Sequence, residues 1–426
     1  MDDIVILSAA RTPIGSFQGE LAAVSAPALG SRALAAAFER AGVAPADVEQ
    51  VYMGCVLTAG IGQAPARQAA LGAGCPDSTG AITLNKVCGS AMRAAMSAAN
   101  DLRCGDFKLV AAGGMESMSR APYLAAGVRD GLRLGHGKLL DSMVFDGLWD
   151  PYNDKHMGNC AETCAAEYAF SREEQDAFAV VSYQRARQAA EDGTFAREIA
   201  PVEVPGKKGA TVSARASGAP VSGRASGATV SGRASGATLP PGTTTVERDE
   251  EPFRVDLDKI AALKPAFQPD GGTVTAGNAS KINDGAAALV LTTAAHAREL
   301  GKTPLARIVA HSTNAQAPEW FTTAPIGAVR NVLGRAGLAV DDIDLWEVNE
   351  AFAVVALAFM RDLELDFDRV NVHGGAVALG HPIGASGARI LVTLLHAMAE
   401  RGARRGCAAI CIGGGEATAM IVEREG

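Results

Sequence analysis

The sequence predicts an α/β protein made of two repeated halves with a longer segment inserted between them. Two observations support this prediction. The 426 residues are 48% hydrophobic but only 5% aromatic, and they include 48 glycines, so that helices can pack closely on a sheet. The chain also matches itself at a constant offset of 295 residues, which indicates two copies of one structural unit.

The internal match joins residues 40–48 to residues 335–343 without a gap. Each copy follows a helical pattern and leads into a strand. The parallel continues after Cys88 and after Gly384, since both precede a helix, a turn and a strand, the strands being 108–114 and 408–414. The same order of elements on both sides predicts two facing βα halves and five layers of α, β, α, β and α. The alanine-rich, nearly charge-free stretch 90–99 fits a central helix packed on all sides.

The segment from Arg120 to Ser280 differs in character and predicts an inserted lobe. Ser171-Arg172-Glu173-Glu174 is a capping box that opens an amphipathic helix running to about Asp192. Residues 212–238 hold three nine-residue units that are too polar and glycine-rich to form a core, which predicts a solvated loop within 209–245. We therefore divide the chain into an N-terminal half (1–119), a lobe (120–281), a return to the first half (282–306) and a C-terminal half (307–426).

Charge and hydropathy exclude several kinds of partner. The net charge of -8 disfavours a broad basic surface for nucleic acid. The chain opens directly into a strand-like run, and no stretch approaches the roughly 20 apolar residues of a membrane span. We expect a cytoplasmic protein without membrane or nucleic-acid partners, whose eight cysteines are thiols. The paired spacings 160/164 and 407/411 lack further ligands nearby, so no metal site is predicted.

Four residues stand where chemistry is expected. Cys88 precedes a helix expected at 89–102, whose free N–H groups and dipole would favour the thiolate. Asn349 lies between a strand and a helix, His381 lies among glycines, and Cys411 ends a strand before three glycines. Taken singly, they could be a helix cap, a core histidine and buried thiols. Their related places in two repeats favour one site.

The segments around these residues resemble the signature blocks of the thiolase family, in the family's order, and the similarity runs from Ile4 to about Glu423. The blocks are Asn85-Lys86-Val87-Cys88-Gly89-Ser90, Asn349-Glu350-Ala351-Phe352, Gly380-His381-Pro382-Ile383-Gly384-Ala385-Ser386-Gly387 and Cys411-Ile412-Gly413-Gly414-Gly415. Further blocks, among them Gly113 to Ser119, Asp146 to Asp150, His156 to Gly158 and Thr275 to Ser280, resemble the short-chain branch of the family.

The resemblance implies acetyl-CoA C-acetyltransferase activity, the reversible condensation of two acetyl-CoA to acetoacetyl-CoA and CoA. It assigns Cys88 as the nucleophile that carries the acetyl group, His381 as its activator and Cys411 as the acid/base. One oxyanion would be held by His381 and a water positioned by Asn349, and the other by the N–H groups of Cys88 and Gly413. No cofactor is implied, because coenzyme A is a substrate.

The resemblance also implies the substrate contacts. The pantetheine and adenine path would be lined by His156, Phe267, Ala276 and Ser280, closed by Ala351 and Phe352 near the reacting carbon, and limited in acyl length by Met157 and Phe352. Lys281 stands where relatives carry a small or polar residue; of two alternatives, contact with the CoA phosphates or a side chain that points into solvent, we expect the second. The sequence leaves monovalent-cation dependence open, but some relatives with such a site carry a tyrosine where this chain has Phe178, which weakens the case for a cation.

Residues 120–141 resemble the loop that joins thiolase dimers, so a homotetramer, a dimer of dimers, is expected. Two alternatives to the implied activity remain. One is a degradative 3-ketoacyl-CoA thiolase of broader chain-length range. The other is a non-catalytic acyl-CoA-binding relative, which would be expected to lack one of the four site residues, whereas this chain has all four.

Overall fold

The computed structural model describes residues 2–205 and 243–424, so the nine-residue repeats at 212–238 lie outside the described part. Its strands are β1 (Ile4–Arg11), β2 (Gly15–Ser16), β3 (Gln50–Gly54), β4 (Gly80–Leu84), β5 (Leu109–Ser117), β6 (Tyr123–Leu124), β7 (Leu140–Asp141), β8 (Trp149–Asp150), β9 (Lys155–His156), β10 (Val202–Pro205), β11 (Thr243–Val246), β12 (Asn283–Thr293), β13 (Ala306–Ala315), β14 (Leu345–Val348), β15 (Arg405–Ile412) and β16 (Glu416–Glu423). Its helices are α1 (Ala26–Ala41), α2 (Pro65–Gly72), α3 (Ser90–Cys104), α4 (Met157–Glu167), α5 (Arg172–Glu191), α6 (Glu251–Arg254), α7 (Ala294–Glu299), α8 (Ala324–Ala336), α9 (Ala353–Asp362), α10 (Ala376–Leu379) and α11 (Ser386–Arg401).

The two halves have the same strand order. In the first half the order is β4-β3-β5-β12-β1, and in the second it is β14-β15-β16-β13. The place that β4 takes in the first half is held in the second by a single parallel bridge between Val370 and Trp346. The edge strands β1 and β13 pair over only two positions, which joins the halves into one continuous sheet.

The helices form three layers around the sheet of the two halves. Helices α1 and α2 cover one face of the first half, α3 and α11 lie between the halves, and α8 and α9 cover the outer face of the second. Residues of β3 alternate between layers as a pleated strand requires, with Val51 and Met53 facing α1 and Tyr52 facing α3. The predicted five-layered α/β fold is confirmed.

The repeat also holds in detail. Helices α1 and α8 end at Gly42 and Gly337, 295 positions apart, and both glycines adopt the left-handed conformation that closes a helix. The capping box that opens α5 is present, since the Glu174 N–H donates to the Ser171 hydroxyl at 3.1 Å and the Ser171 N–H donates to the Glu174 carboxylate at 2.7 Å.

One boundary of the predicted loop differs in the structure. Residues 243–245, placed inside the loop by composition, belong to β11, which pairs antiparallel with β10. Val202 and Val246 are both buried, because this hairpin packs against the core of the first half. Across the residues that the structure describes, no helix is long and apolar enough to cross a membrane.

Candidate active site

A cavity of about 530 Å³ lies where the lobe meets the two halves. Its wall includes three of the five predicted catalytic residues, Cys88, His381 and Gly413, and all seven predicted substrate-binding residues: His156, Met157, Phe267, Ala276, Ser280, Ala351 and Phe352. Cys411 and Asn349 are fully buried and do not line it. The structure therefore gathers residues from both repeats and the lobe at one place.

Cys88 lies on a tight turn between β4 and α3. The preceding residue, Val87, has a φ of 44°, a strained conformation for a β-branched side chain. The Ser90 hydroxyl holds this turn, accepting from the Lys86 N–H at 2.8 Å and donating to the Val87 carbonyl at 2.6 Å. The expected helix begins at Ser90 and extends to Cys104, two residues beyond its predicted end.

The expected thiolate character of Cys88 is not supported by its surroundings. Although the residue is partly exposed, its sulfur is enclosed by protein, and this desolvation raises the pKa of the thiol to about 11. Hydrogen bonds from the N–H groups of Gly413 and of Cys88 itself lower the pKa, and the negative charge of Glu116 raises it further. Cys88 is therefore a neutral thiol that needs a base, and the two N–H groups at its sulfur are those predicted for an oxyanion hole.

Cys411 comes from the strand of the second half that corresponds to β5. It is fully buried near the end of β15, opposite Ala417 of β16. Burial raises the pKa of its thiol well above the ordinary value, and ionisation of Cys88 to the thiolate raises it further. The two thiols are thus electrostatically coupled, because a thiolate at one opposes a thiolate at the other.

His381 is held by hydrogen bonds on its main chain and on its ring. Its N–H lies 3.0 Å from the Asn283 side-chain oxygen and 3.2 Å from the Lys281 carbonyl. Its Nδ1 lies 2.6 Å from the Ser386 hydroxyl, which donates to the Pro382 carbonyl at 2.9 Å. Since that hydroxyl has one proton to donate, this network assigns the proton of the neutral ring to Nδ1 and leaves Nε2 as an acceptor.

The Nε2 atom of His381 is buried and has no hydrogen-bond partner among the described residues. Burial lowers the pKa of the ring to about 3, and the positive charge of Arg389 lowers it further. The ring is therefore neutral at physiological pH, and an unpaired acceptor in a cavity wall is suited to receiving a proton.

Asn349 follows β14 at the point where the chain turns towards α9. Its N–H donates to the Ala409 carbonyl at 3.0 Å, which places it beside β15, the strand of Cys411. Both polar atoms of its side chain are buried and lack a partner within the described ranges. A buried amide without hydrogen bonds destabilises the fold unless a ligand or a water molecule bonds to it. Asn349 therefore fits the predicted role of positioning a water.

An aromatic wall shapes the lobe side of the cavity. The His156 ring stacks on Phe267 at a centroid distance of 4.8 Å, and Phe267 meets Phe352 edge to face at 6.1 Å. Helix α4 starts directly behind this wall, where a Cβ at Gly158 would lie 2.3 Å from the Phe267 ring, so only glycine fits. Met157 and Phe352 line the cavity, and the Met157 side chain lies beside Gly413.

The expectation that Lys281 points into solvent is wrong. Its ammonium turns inward, donating to the Ala279 carbonyl at 2.8 Å and to the Val377 carbonyl at 3.3 Å, and the residue lines the cavity. The reason is that these two carbonyls and the Tyr183 ring, whose centre is 5.5 Å away, replace water around the ammonium. The neighbouring Ser280 N–H donates to the Ala351 carbonyl at 3.0 Å, which ties the backbone of this segment to the second half.

Glu116 is a site-supporting residue that sequence reasoning missed. Its fully buried carboxylate accepts from the N–H groups of Val56, Leu57 and Gly384 at 3.0, 3.2 and 3.0 Å, joining the first half to the loop that follows His381. A lone charged residue in the otherwise small and apolar run Gly113 to Met118 was the available signal. Glu116 does not itself line the cavity; the lining residues that had no predicted role include Leu148, Glu251, Arg254 and Phe321.

Comparisons with known proteins agree with this architecture. The family model described as "Thiolase, N-terminal domain" matches residues 4–222 and 236–295, and "Thiolase, C-terminal domain" matches residues 302–424. Proteins named acetyl-CoA acetyltransferase from Pseudomonas aeruginosa and Cupriavidus necator are 48% and 49% identical, each over 100% of both chains. Acetyl-CoA acetyltransferase B, mitochondrial, from Xenopus laevis is 50% identical over 100% of this chain and 92% of its own.

A solved structure is similar as well. The crystal structure of Acat5 thiolase from Ascaris suum in complex with coenzyme A superposes with a TM-score of 0.86 at 40% identity, covering 99% of this chain and 100% of the other. Two matching βα halves define the class, with the Cys88 thiol of the first half in the cavity wall and the Cys411 thiol of the second half buried within electrostatic reach of it. The chain belongs to the thiolase family, as the signature blocks predict.

Proposed function

We propose that this protein is an acetyl-CoA C-acetyltransferase that interconverts two acetyl-CoA with acetoacetyl-CoA and CoA through an acetyl-Cys88 intermediate. The observation that carries the proposal is the meeting of two thiols from the two repeats: the Cys88 sulfur accepts from the Gly413 N–H, and Cys88 is close enough to Cys411 to raise the pKa of the Cys411 thiol. The full-length similarity to proteins of that name supports the same activity.

In the cleavage direction, the first step is proton transfer from the Cys88 thiol to Nε2 of His381. The thiolate attacks the keto carbon of acetoacetyl-CoA, and the oxygen becomes an oxyanion stabilised by hydrogen-bond donors in the cavity wall. The bond between the two acetyl units then breaks. The departing carbanion takes the proton of the Cys411 thiol and leaves as acetyl-CoA, while Cys88 keeps the acetyl group.

The second half of the cycle regenerates both thiols. Incoming CoA gives its proton to the Cys411 thiolate and attacks acetyl-Cys88, forming the second acetyl-CoA. The released Cys88 thiolate recovers its proton from His381. Condensation is the reverse of these steps, and they need no cofactor, because coenzyme A enters and leaves as a substrate.

The electrostatic coupling of the thiols fits this division of labour. A charged Cys88 raises the pKa of Cys411, but acetylation makes Cys88 neutral and removes that repulsion. A Cys411 thiolate is therefore more stable in the acetyl-enzyme, the state in which the reaction uses it. The orphaned amide of Asn349 would hold a water that, with His381, binds one oxyanion, and the N–H groups of Cys88 and Gly413 would bind the other.

The lobe would bind coenzyme A, with the pantetheine along the wall of His156, Phe267, Ala276 and Ser280. Ala351 and Phe352 would close the path at the reacting carbon. Met157 and Phe352 favour a short acyl group, because forcing extra methylenes against packed side chains commonly costs about 1–3 kcal/mol. The division of the chain into halves at 1–119 and 307–426, a lobe at 120–281 and a return segment at 282–306 is part of this proposal.

We further propose a cytoplasmic homotetramer. Segment 120–141 exposes Leu132, Leu134 and Leu139 at 62%, 101% and 67% of their surfaces, an apolar patch that a second copy would cover. The edge strand β4 also exposes Ile82, at 41%, which fits an interface between subunits next to the Cys88 turn.

Steady-state thiolysis of acetoacetyl-CoA, compared with a series of longer 3-ketoacyl-CoA substrates, tests the proposal. We expect a clear preference for the four-carbon substrate and loss of turnover in Cys88→Ala. Comparable cleavage of substrates of eight or more carbons would favour the broader 3-ketoacyl-CoA thiolase instead. Binding of acyl-CoA without turnover by the unaltered enzyme would favour the non-catalytic relative.

A further inference from the structure

Lys281 has an unusual environment for a lysine. Its ammonium donates to two backbone carbonyls, of Ala279 at 2.8 Å and of Val377 at 3.3 Å, and lies 5.5 Å from the centre of the Tyr183 ring. Among the ion pairs of the described residues, none includes Lys281, so its charge is held by carbonyl dipoles and an aromatic face. Lysine charges are usually kept in water, because removing an ammonium from water is costly unless strong contacts replace the lost hydration.

The surrounding charges keep the ammonium protonated at neutral pH. Burial lowers its pKa to about 8, and the carboxylates of Glu251 and Glu350 act in the opposite direction. Glu350 is itself occupied, accepting from the Ser182 hydroxyl, the Asn371 amide and the Val377 N–H. Both main-chain polar groups of Val377 are thus bound: its N–H donates to the Glu350 carboxylate, and its carbonyl accepts from the Lys281 ammonium.

The position of the contact gives it a consequence for the site. Val377 belongs to α10, four residues before His381, and the His381 N–H donates to the carbonyl of Lys281 itself at 3.2 Å. Lys281 therefore holds the segment of His381 at two points, once through its side chain and once through its main chain. On its other side, Ser280 is bound to Ala351, and Ala279 is bridged to Phe352.

The segment needs such support because its backbone is permissive. Gly380 separates α10 from His381 and has a φ of 103°, a conformation outside the usual range of other residues. Glycine adds freedom that must be restricted elsewhere if the imidazole is to stay in place. The ring network through Ser386 fixes the orientation of the imidazole, but the loop that carries it is fixed from the Lys281 side.

We propose that Lys281 is a positioning residue, whose ammonium clamps the Val377 and Ala279 carbonyls together and thereby holds His381 against the substrate wall. The proposal rests on the proposed function, since its effect is read in acetoacetyl-CoA turnover. It adds to that function a lysine at a place where the family resemblance leads one to expect a small or polar residue.

The test compares Lys281→Met, which keeps the aliphatic stem but removes the ammonium, with Lys264→Met, a control at an exposed lysine of the same lobe. In Lys281→Met we expect kcat for thiolysis to fall by about 100-fold, the order of loss known for a misplacement of about 1 Å, with little change in KM. Methylammonium, which has N–H donors, should restore part of the lost kcat. Tetramethylammonium at equal concentration, which has none, should not.

The possible results separate the two proposals. Absence of turnover in the unaltered enzyme and in Lys264→Met would reject the proposed function. Normal kcat in Lys281→Met, or a raised KM with unchanged kcat as expected for a direct contact with CoA, would reject the clamp alone. If Lys281→Met does not fold, judged by its thermal melting, Lys281→Gln is measured with the same criteria. A loss of kcat that remains the same in the presence of methylammonium, tetramethylammonium or any other cation would also reject the clamp.

Discussion

The Nδ1 atom of His381 lies 2.6 Å from the hydroxyl of Ser386, and that hydroxyl donates to the Pro382 carbonyl at 2.9 Å. The serine begins α11, so the imidazole is oriented by the N-terminus of a central helix. This relationship decides which ring nitrogen carries the proton, and it leaves the other, in the cavity, free to accept one. A reaction that begins with a neutral thiol depends on that acceptor.

Substitution of Ser386 by alanine should therefore lower kcat much more than it changes KM. The ring would lose its orientation and its fixed tautomer, and loss of such a supporting hydrogen bond typically costs about 10–100-fold in activity. Steady-state thiolysis of acetoacetyl-CoA measures both constants. Ser312→Ala is a matched control, since that buried hydroxyl also donates to a backbone carbonyl, of Ala328 at 2.6 Å, but lies away from the cavity. An equal effect of both substitutions would contradict the assigned role.

The pH dependence of Cys88 alkylation should be that of a high-pKa thiol. Because desolvation raises the pKa to about 11, the thiolate fraction should increase about tenfold per pH unit between pH 7 and 9. The rate of iodoacetamide labelling at Cys88, followed by peptide mass spectrometry in a Cys104→Ala background that removes an exposed thiol, measures it. A rate that reaches a plateau near neutral pH would instead indicate a stable thiolate–imidazolium pair.

Shortening Met157 to alanine should extend the range of acyl chains. The side chain lines the cavity close to Gly413, and its removal leaves space for added methylenes. We expect kcat/KM for a six-carbon 3-ketoacyl-CoA, relative to acetoacetyl-CoA, to rise by about tenfold or more, as methylene discrimination in apolar pockets allows. Met360→Ala, which changes a partly buried methionine at the outer helix α9, should leave this ratio unchanged. An unchanged ratio in Met157→Ala would remove Met157 from the specificity wall.

Replacement of Glu116 by alanine should destabilise the protein and weaken the contact between its halves. Three buried N–H groups, of Val56, Leu57 and Gly384, would lose their acceptor, and each such orphaned group costs about 1–3 kcal/mol. Urea unfolding of Glu116→Ala measures the change in free energy, with Glu167→Ala as a control at an exposed carboxylate. If the free energy of unfolding decreases no more in Glu116→Ala than in the control, the three hydrogen bonds to Glu116 contribute little to stability.

Deletion of residues 212–238 should leave turnover largely intact. These residues lie outside the described part of the structure, but β10 and β11, which stand on either side of them, pair with each other and pack away from the cavity on the first half. A short glycine-serine linker between the two strands tests this prediction, with kcat and KM compared with those of the full chain. A large loss of turnover in a folded variant would assign the repeats a part in catalysis.

The features that the sequence by itself determined are local or repeated. The offset of 295 residues predicted two halves with one strand order, the capping box at Ser171 predicted the start of α5, and the signature blocks gave the family. Such features can be predicted from sequence because turn chemistry and hydrophobic periodicity act between residues close in the chain. A repeat can be predicted as well, because one copy can be compared directly with the other.

Only the tertiary structure decided the electrostatic state of the site. The helix start at Cys88 predicted a thiolate, but enclosure of the sulfur raises its pKa, and enclosure depends on residues far along the chain. The inward turn of Lys281 and the three N–H groups on Glu116 have the same origin, since each joins segments about 60 or more positions apart. Desolvation and long-range hydrogen bonds belong to the packed molecule, and they determine which of the predicted groups can carry a charge.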